Sequence, residues 1–180
     1  MAAPTNLRIG VFLPTVVQLL DLSVIDIFAM TDPAYLSICK LPEALVAQGV
    51  SSTIHYISLP SNGPHVELSA KAVLQISKTI LDVEVQPGNL DILLVPGPPP
   101  FMQFGEDVLG FVRSHAENEG TDVLSVCTGC HVLAQAGVLK GRKASGPRES
   151  VPKLRNRYPE IEWDDTRRWV QDGNIWSSGR

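Results

Sequence analysis

The chain has 180 residues with a formal net charge of -4 at pH 7, and 44% of its residues are hydrophobic. This bounds a single domain, 1–180, able to bury a core of its own. The acidic balance, with no basic run, argues against nucleic acid as a partner, and the longest apolar stretches are too short to span a membrane.

In chain order, Leu7-Arg-Ile-Gly-Val-Phe-Leu13 predicts a parallel strand covered on both faces, closed by Pro14. Nothing before it reads as the apolar core of a signal peptide. Residues 16–30 predict a turn and then a helix, and 34–48 a second helical segment ended by Gly49. Residues 52–59 predict a strand, 60–64 a loop, and 66–85 short strands in a hairpin. After the turn Pro87-Gly-Asn89, a buried strand over 90–95 runs into Pro96-Gly-Pro-Pro-Pro100. A helix over 104–118 is stopped by Gly120. A strand at 122–126 and a helix at 128–136 follow, with a turn between Gly137 and Gly141. A short helix over 151–158 precedes strands at 161–163, 168–170 and 174–176, the last two joined by the hairpin signal Asp172-Gly173. Alternating strands and helices make the class α/β with a largely parallel sheet. Ligands in such sheets sit at the carboxyl ends of the strands. There the loops after 7–13 and 90–95 would meet the turn at Cys127.

That turn lies in Asp122-Val-Leu-Ser-Val-Cys127-Thr-Gly-Cys-His131, where a branched apolar strand runs into a cysteine and then a helix. It is the thiol version of a nucleophile elbow. The amino end of a helix favours a thiolate, and Gly129 lets the backbone pass closely. A buried structural cysteine is the alternative. The string Cys127-Thr-Gly-Cys-His131 also matches the c-type haem and redox-pair patterns formally. The haem match reads as accidental, because the string follows a buried strand. Three cysteines at irregular spacing form no disulfide framework, so a reducing, cytoplasmic setting is expected.

Asp21 sits in the otherwise apolar Gln18-Leu-Leu-Asp21-Leu-Ser-Val-Ile-Asp26. It is either a cap, a solvated turn residue, or a carboxyl that shuttles a proton to a thiolate. Thr128 could offer its N–H to an oxyanion and its hydroxyl to a substrate, or simply cap a helix. Gly97 could offer a second N–H. Of the histidines, His55 and His65 read as strand and loop positions and His115 as part of a polar helix face. His131 lies one helical turn past Cys127 and could face the same cleft.

Together these pieces resemble the ThiJ/PfpI superfamily, of class I glutamine-amidotransferase-like fold. They are Ile9-Gly-Val-Phe-Leu-Pro, Gln18-Leu-Leu-Asp-Leu, Asp91-Ile-Leu-Leu-Val-Pro-Gly, Ser125-Val-Cys-Thr-Gly and Leu133-Ala-Gln-Ala-Gly-Val-Leu-Lys-Gly-Arg-Lys-Ala. The resemblance implies a flavodoxin-like three-layer sandwich, a homodimer, and a small-molecule substrate with neither cofactor nor metal. Gln-Leu-Leu-Asp and Ser-Val-Cys-Thr-Gly look most like the isonitrile hydratases. Their aspartate, cysteine and threonine map onto Asp21, Cys127 and Thr128. The implied reaction is thiolate attack on the isonitrile carbon, with Asp21 moving the proton. A biosynthetic tailoring enzyme acting on a larger intermediate, and a redox sensor oxidised at Cys127, are the alternative readings. Where many relatives carry Ala-Thr-Thr-His-Trp, this chain has Ala144-Ser-Gly-Pro-Arg148, so the histidine is absent and Arg148 is placed near the cleft mouth. The usual second glycine after Pro96 is Pro98. Relatives continue past Trp176-Ser-Ser-Gly179 with a closing helix, which this sequence does not include.

Overall fold

The computed structural model describes residues 6–179. Its strands and helices follow in chain order: β1 Asn6–Phe12, α1 Ser23–Ala29, α2 Pro33–Ile38, α3 Glu43–Val46, β2 Ser51–Ser58, β3 His65–Glu67, β4 Val73–Gln75 and β5 Lys78–Thr79. They continue with β6 Ile92–Val95, α4 Glu106–Ala116, β7 Asp122–Val126, α5 Gly129–Gln135, β8 Lys143–Ala144, α6 Val151–Arg157, β9 Glu162–Trp163, β10 Trp169–Asp172 and β11 Ile175–Ser178. The main sheet runs β10-β11-β7-β6-β1-β2-β5. Every pair in it is parallel except the β10–β11 hairpin.

Side chains alternate across a strand, so each central strand feeds two cores. On one face Phe12, Leu93, Val95, Val123 and Ile175 pack under α4, α5 and α6. On the other Ile9, Val11 and Leu94 pack under Ile25 of α1 and Val66 of β3. These strand residues are almost fully buried, and each such side chain contributes roughly 1.5–3 kcal/mol relative to exposure. The result is the expected flavodoxin-like sandwich of helices on both faces of a mostly parallel sheet.

Two expectations change, and one strand is new. The helical segment over 34–48 is broken into α2 and α3. Lys40 takes a left-handed φ of 57°, and Pro42 cannot continue a helix because it lacks an N–H. His115 does not lie on a polar face. It is fully buried, with Nδ1 2.9 Å from the Phe111 carbonyl and Nε2 3.0 Å from the Val85 carbonyl. The two-residue strand β8, parallel to β9, had no periodic signal to announce it. Among the described residues no helix is long and apolar enough to cross a membrane.

Candidate functional site

At the carboxyl end of β7 the chain turns into α5 through Cys127. Its φ is 56°, in the left-handed region, where a non-glycine residue costs roughly 1–3 kcal/mol. The turn is held from below by the Cys127 N–H, which donates to the Ser178 carbonyl at 2.9 Å. Gly129 permits it: a Cβ there would lie 2.1 Å from the Val95 carbonyl oxygen. Cys127 is partly exposed and lines a cleft of about 370 Å³. Three loops wall this cleft, at residues 16–18, 97–100 and 127–128, with Ser69 added from the β3–β4 hairpin. These are the loops expected to meet at the strand ends.

The first loop is anchored by Ser58, whose hydroxyl donates to the Leu13 carbonyl at 2.6 Å, and by Asn62, whose amide donates to the Pro14 carbonyl at 2.9 Å. It then enters a 3-10 turn at Leu19–Leu22 that carries Asp21. Asp21 is neither a solvated turn residue nor a side-chain cap: it is 3% exposed. Its Oδ2 accepts the Gly97 N–H at 3.0 Å. The Gly97 carbonyl in turn accepts the Gln18 N–H at 3.0 Å. A Cβ on Gly97 would lie 2.6 Å from Asp21 Oδ2 and 2.6 Å from Thr128 Oγ1. Asp21, Gly97 and Thr128 are therefore in close contact beside the cleft.

This packing corrects two expectations. The Gly97 N–H is directed to Asp21, so it does not serve as a free oxyanion donor. The Thr128 hydroxyl donates to the Pro98 carbonyl at 2.6 Å, which leaves it able only to accept from a substrate. The reason is shared: prolines at 98–100 supply no N–H, so their carbonyls and their neighbours pair with the side chains at hand.

His131 does not line the cleft. It is 2% exposed, and its ring packs on Phe101 at 4.7 Å between centroids. Its Nδ1 accepts the Phe101 N–H at 3.2 Å, which ties the proline-rich loop to α5. Burial, with a smaller contribution from Arg157, pushes the imidazole down to about 4. Cys130 is buried too, and burial together with the nearby Cys127 pushes its thiol well up from the usual range. That environment does not suit a Cys127–Cys130 redox pair. Arg148 is exposed and lies outside the cleft lining. Among the described residues no group of three His, Cys, Asp or Glu side chains is placed to hold a metal ion.

Two further residues, Gln18 and Ser69, line the cleft. Gln18 Oε1 lies 3.7 Å from Cys127 Sγ, accepting from the thiol. Its place after the first parallel strand was a usable signal. Ser69, whose Oγ accepts the Leu19 N–H at 3.1 Å, comes from the expected hairpin, whose packing against the first loop nothing in the sequence announced.

Residues 44–180 match the family model described as the DJ-1/PfpI family. A deglycase of Thermococcus kodakarensis is 35% identical over 99 residues, covering 54% of this chain and 57% of that protein. An isonitrile hydratase of Pseudomonas putida is 38% identical over 96 residues, covering 50% of this chain and 39% of that protein. The chain thus spans little more than half of the deglycase and less of the hydratase. In solved structures the fold is similar to DJ-1beta of Drosophila melanogaster, with a TM-score of 0.72 at 17% identity over 97% of this chain and 82% of that one. It is also similar to an AraC family transcriptional regulator of Pseudomonas putida, with a TM-score of 0.70 at 17% identity over 96% of this chain and 83% of that one.

Proposed function

Since the chain belongs to the DJ-1/PfpI family, we propose that it is a cysteine-dependent hydratase of small isonitriles. One observation carries this reading: Cys127, at a left-handed turn, opens on a cleft of about 370 Å³ lined by Val16, Val17 and three prolines, with no histidine or charged side chain among the described residues that line it. Such a cleft suits a slender, uncharged electrophile. The Cys127 thiolate forms a bond to the terminal isonitrile carbon. That carbon takes a proton delivered by way of Asp21, giving a thioimidate. Water adds to the same carbon, the nitrogen takes a proton, and the carbon–sulfur bond breaks. Thiolate leaves and an N-substituted formamide is released, so isonitrile plus water balances the product. Asp21 is suited to this step because its Oδ2 is fixed by the Gly97 N–H.

A second reading is deglycation, favoured by the archaeal relative; the lack of a histidine among the described residues lining the cleft weighs against it. Incubation with p-nitrophenyl isocyanide should yield the formamide, and Cys127→Ala should yield none. Absence of formamide from the unaltered chain, with turnover of a glycated substrate, would replace the first reading by the second. Full turnover by Cys127→Ala would refute both.

A further inference from the structure

Several polar hydrogens around the Cys127 sulfur are already engaged. The Gly97 N–H goes to Asp21 and the Thr128 hydroxyl to the Pro98 carbonyl. Pro98, Pro99 and Pro100 have no N–H to give. Attack of this thiol on an isonitrile leaves the charge on the attacked carbon, which takes the proton, whereas attack on a carbonyl carbon puts it on the oxygen beside it, and such charge needs a preorganised donor.

Gln18 is placed to be one. Its backbone is held at both ends, the N–H by the Gly97 carbonyl at 3.0 Å and the carbonyl by the Asp21 N–H at 3.1 Å. Its side chain lines the cleft, with Oε1 3.7 Å from Cys127 Sγ. The amide nitrogen hangs on the same carbon as that oxygen and carries two donor hydrogens. When the sulfur gives up its proton, Oε1 loses that donor, and rotation of the amide brings Nε2 toward the adduct.

We propose that the Gln18 carboxamide donates a hydrogen bond to the oxyanion that develops beside a carbonyl carbon attacked by Cys127, replacing the donor that Gly97 and Pro98 do not supply. This rests on the reading of Cys127 as a nucleophile, but not on the isonitrile as substrate.

The test compares two reactions of the Cys127 thiol in the full chain, read at the Cys127 peptide by mass spectrometry because Cys39 is also exposed. With p-nitrophenyl acetate, the sulfur lone pair forms a bond to the carbonyl carbon and the carbonyl π pair moves onto oxygen. Collapse then expels p-nitrophenolate and leaves a thioester. With iodoacetamide the sulfur displaces iodide and no oxyanion forms. Gln18→Ala and Gln18→Met should slow acylation by about tenfold to a hundredfold while alkylation changes by less than about threefold. Gln18→Glu should acylate at least as slowly, because a carboxylate repels the oxyanion. Having two neutral variants guards against one that fails to fold. A parallel fall in both reactions would reduce Gln18 to a residue that positions the sulfur, and would overturn the proposal. So would unchanged acylation, or a native thiol that alkylates but does not acylate. An acylation-specific loss in a chain that hydrates no isonitrile would uphold Gln18 and sink the substrate reading alone.

Discussion

Acidification should weaken this fold through His131, and the size of the effect follows from its surroundings. The ring is 2% exposed and its Nδ1 already accepts the Phe101 N–H, so a second ring proton would meet a donor and lose its hydration. Burial holds the folded imidazole at about 4, whereas an unfolded chain titrates near 6.5. Between those values the unfolded state binds the extra proton and the folded state does not. Stability is therefore complete above about pH 6.5 and is lost as pH falls through about 4. The loss is about 2 kcal/mol at pH 5 and about 3 kcal/mol at pH 4. Urea unfolding at a series of pH values measures it. His131→Asn is the reference, because its side-chain oxygen can still accept from Phe101 while the group no longer titrates. The variant should be less stable at pH 7 yet lose about 3 kcal/mol less on going to pH 4. His115, also lowered by burial, contributes acid sensitivity to both proteins and cancels in the difference. Parallel stability curves for the two proteins would refute the reasoning.

Other perturbations test the packing beneath Cys127. Gly97→Ala forces a methyl group into the gap between Asp21 and Thr128. It should cost about 1–3 kcal/mol in urea unfolding and lower formamide production by roughly a hundredfold; native stability and rate would contradict the contact. Asp21→Asn keeps an oxygen for the Gly97 N–H, so its unfolding midpoint should stay near native while turnover falls by about a hundredfold or more; an equally active variant would remove Asp21 from proton transfer. Thr128→Val leaves the buried Pro98 carbonyl without its donor, for a loss of about 1–3 kcal/mol. Iodoacetamide labelling of Cys127 in that variant reports whether the proline loop has moved.

The layered fold was legible because its signals are local and repeated. Apolar runs at 7–13 and 90–95 can be satisfied only by a strand covered on both faces, and Asp172-Gly173 dictates its hairpin through Gly173 at φ 63°. The Cys127 turn was legible for the same reason, since Gly129 must sit against the Val95 carbonyl. What the pattern could not show was where each hydrogen bond goes. Gly97 reads as a spare donor until Asp21 is found beside it, from 76 residues away in sequence. His131 and Cys127 share a helical turn, yet the ring rotates toward Phe101 because an unpaired N–H there needs an acceptor. Helix spacing names neighbours but does not say which polar group claims them. Arg148 is a similar case: its place in the motif suggested the cleft, and the structure leaves it exposed outside the lining.

The bond from the Cys127 N–H to the Ser178 carbonyl bears on the order in which the protein is made. Strand β7 lies between β6 and β11 in the sheet, although β11 is the last of the three in the chain. A nascent chain that has just completed α5 therefore carries its cysteine on a turn with one flank still unpaired. The turn gains its full support only after residue 178 has emerged and docked. Until then the thiol sits in a less constrained setting, and the geometry of its turn follows the docking of β11.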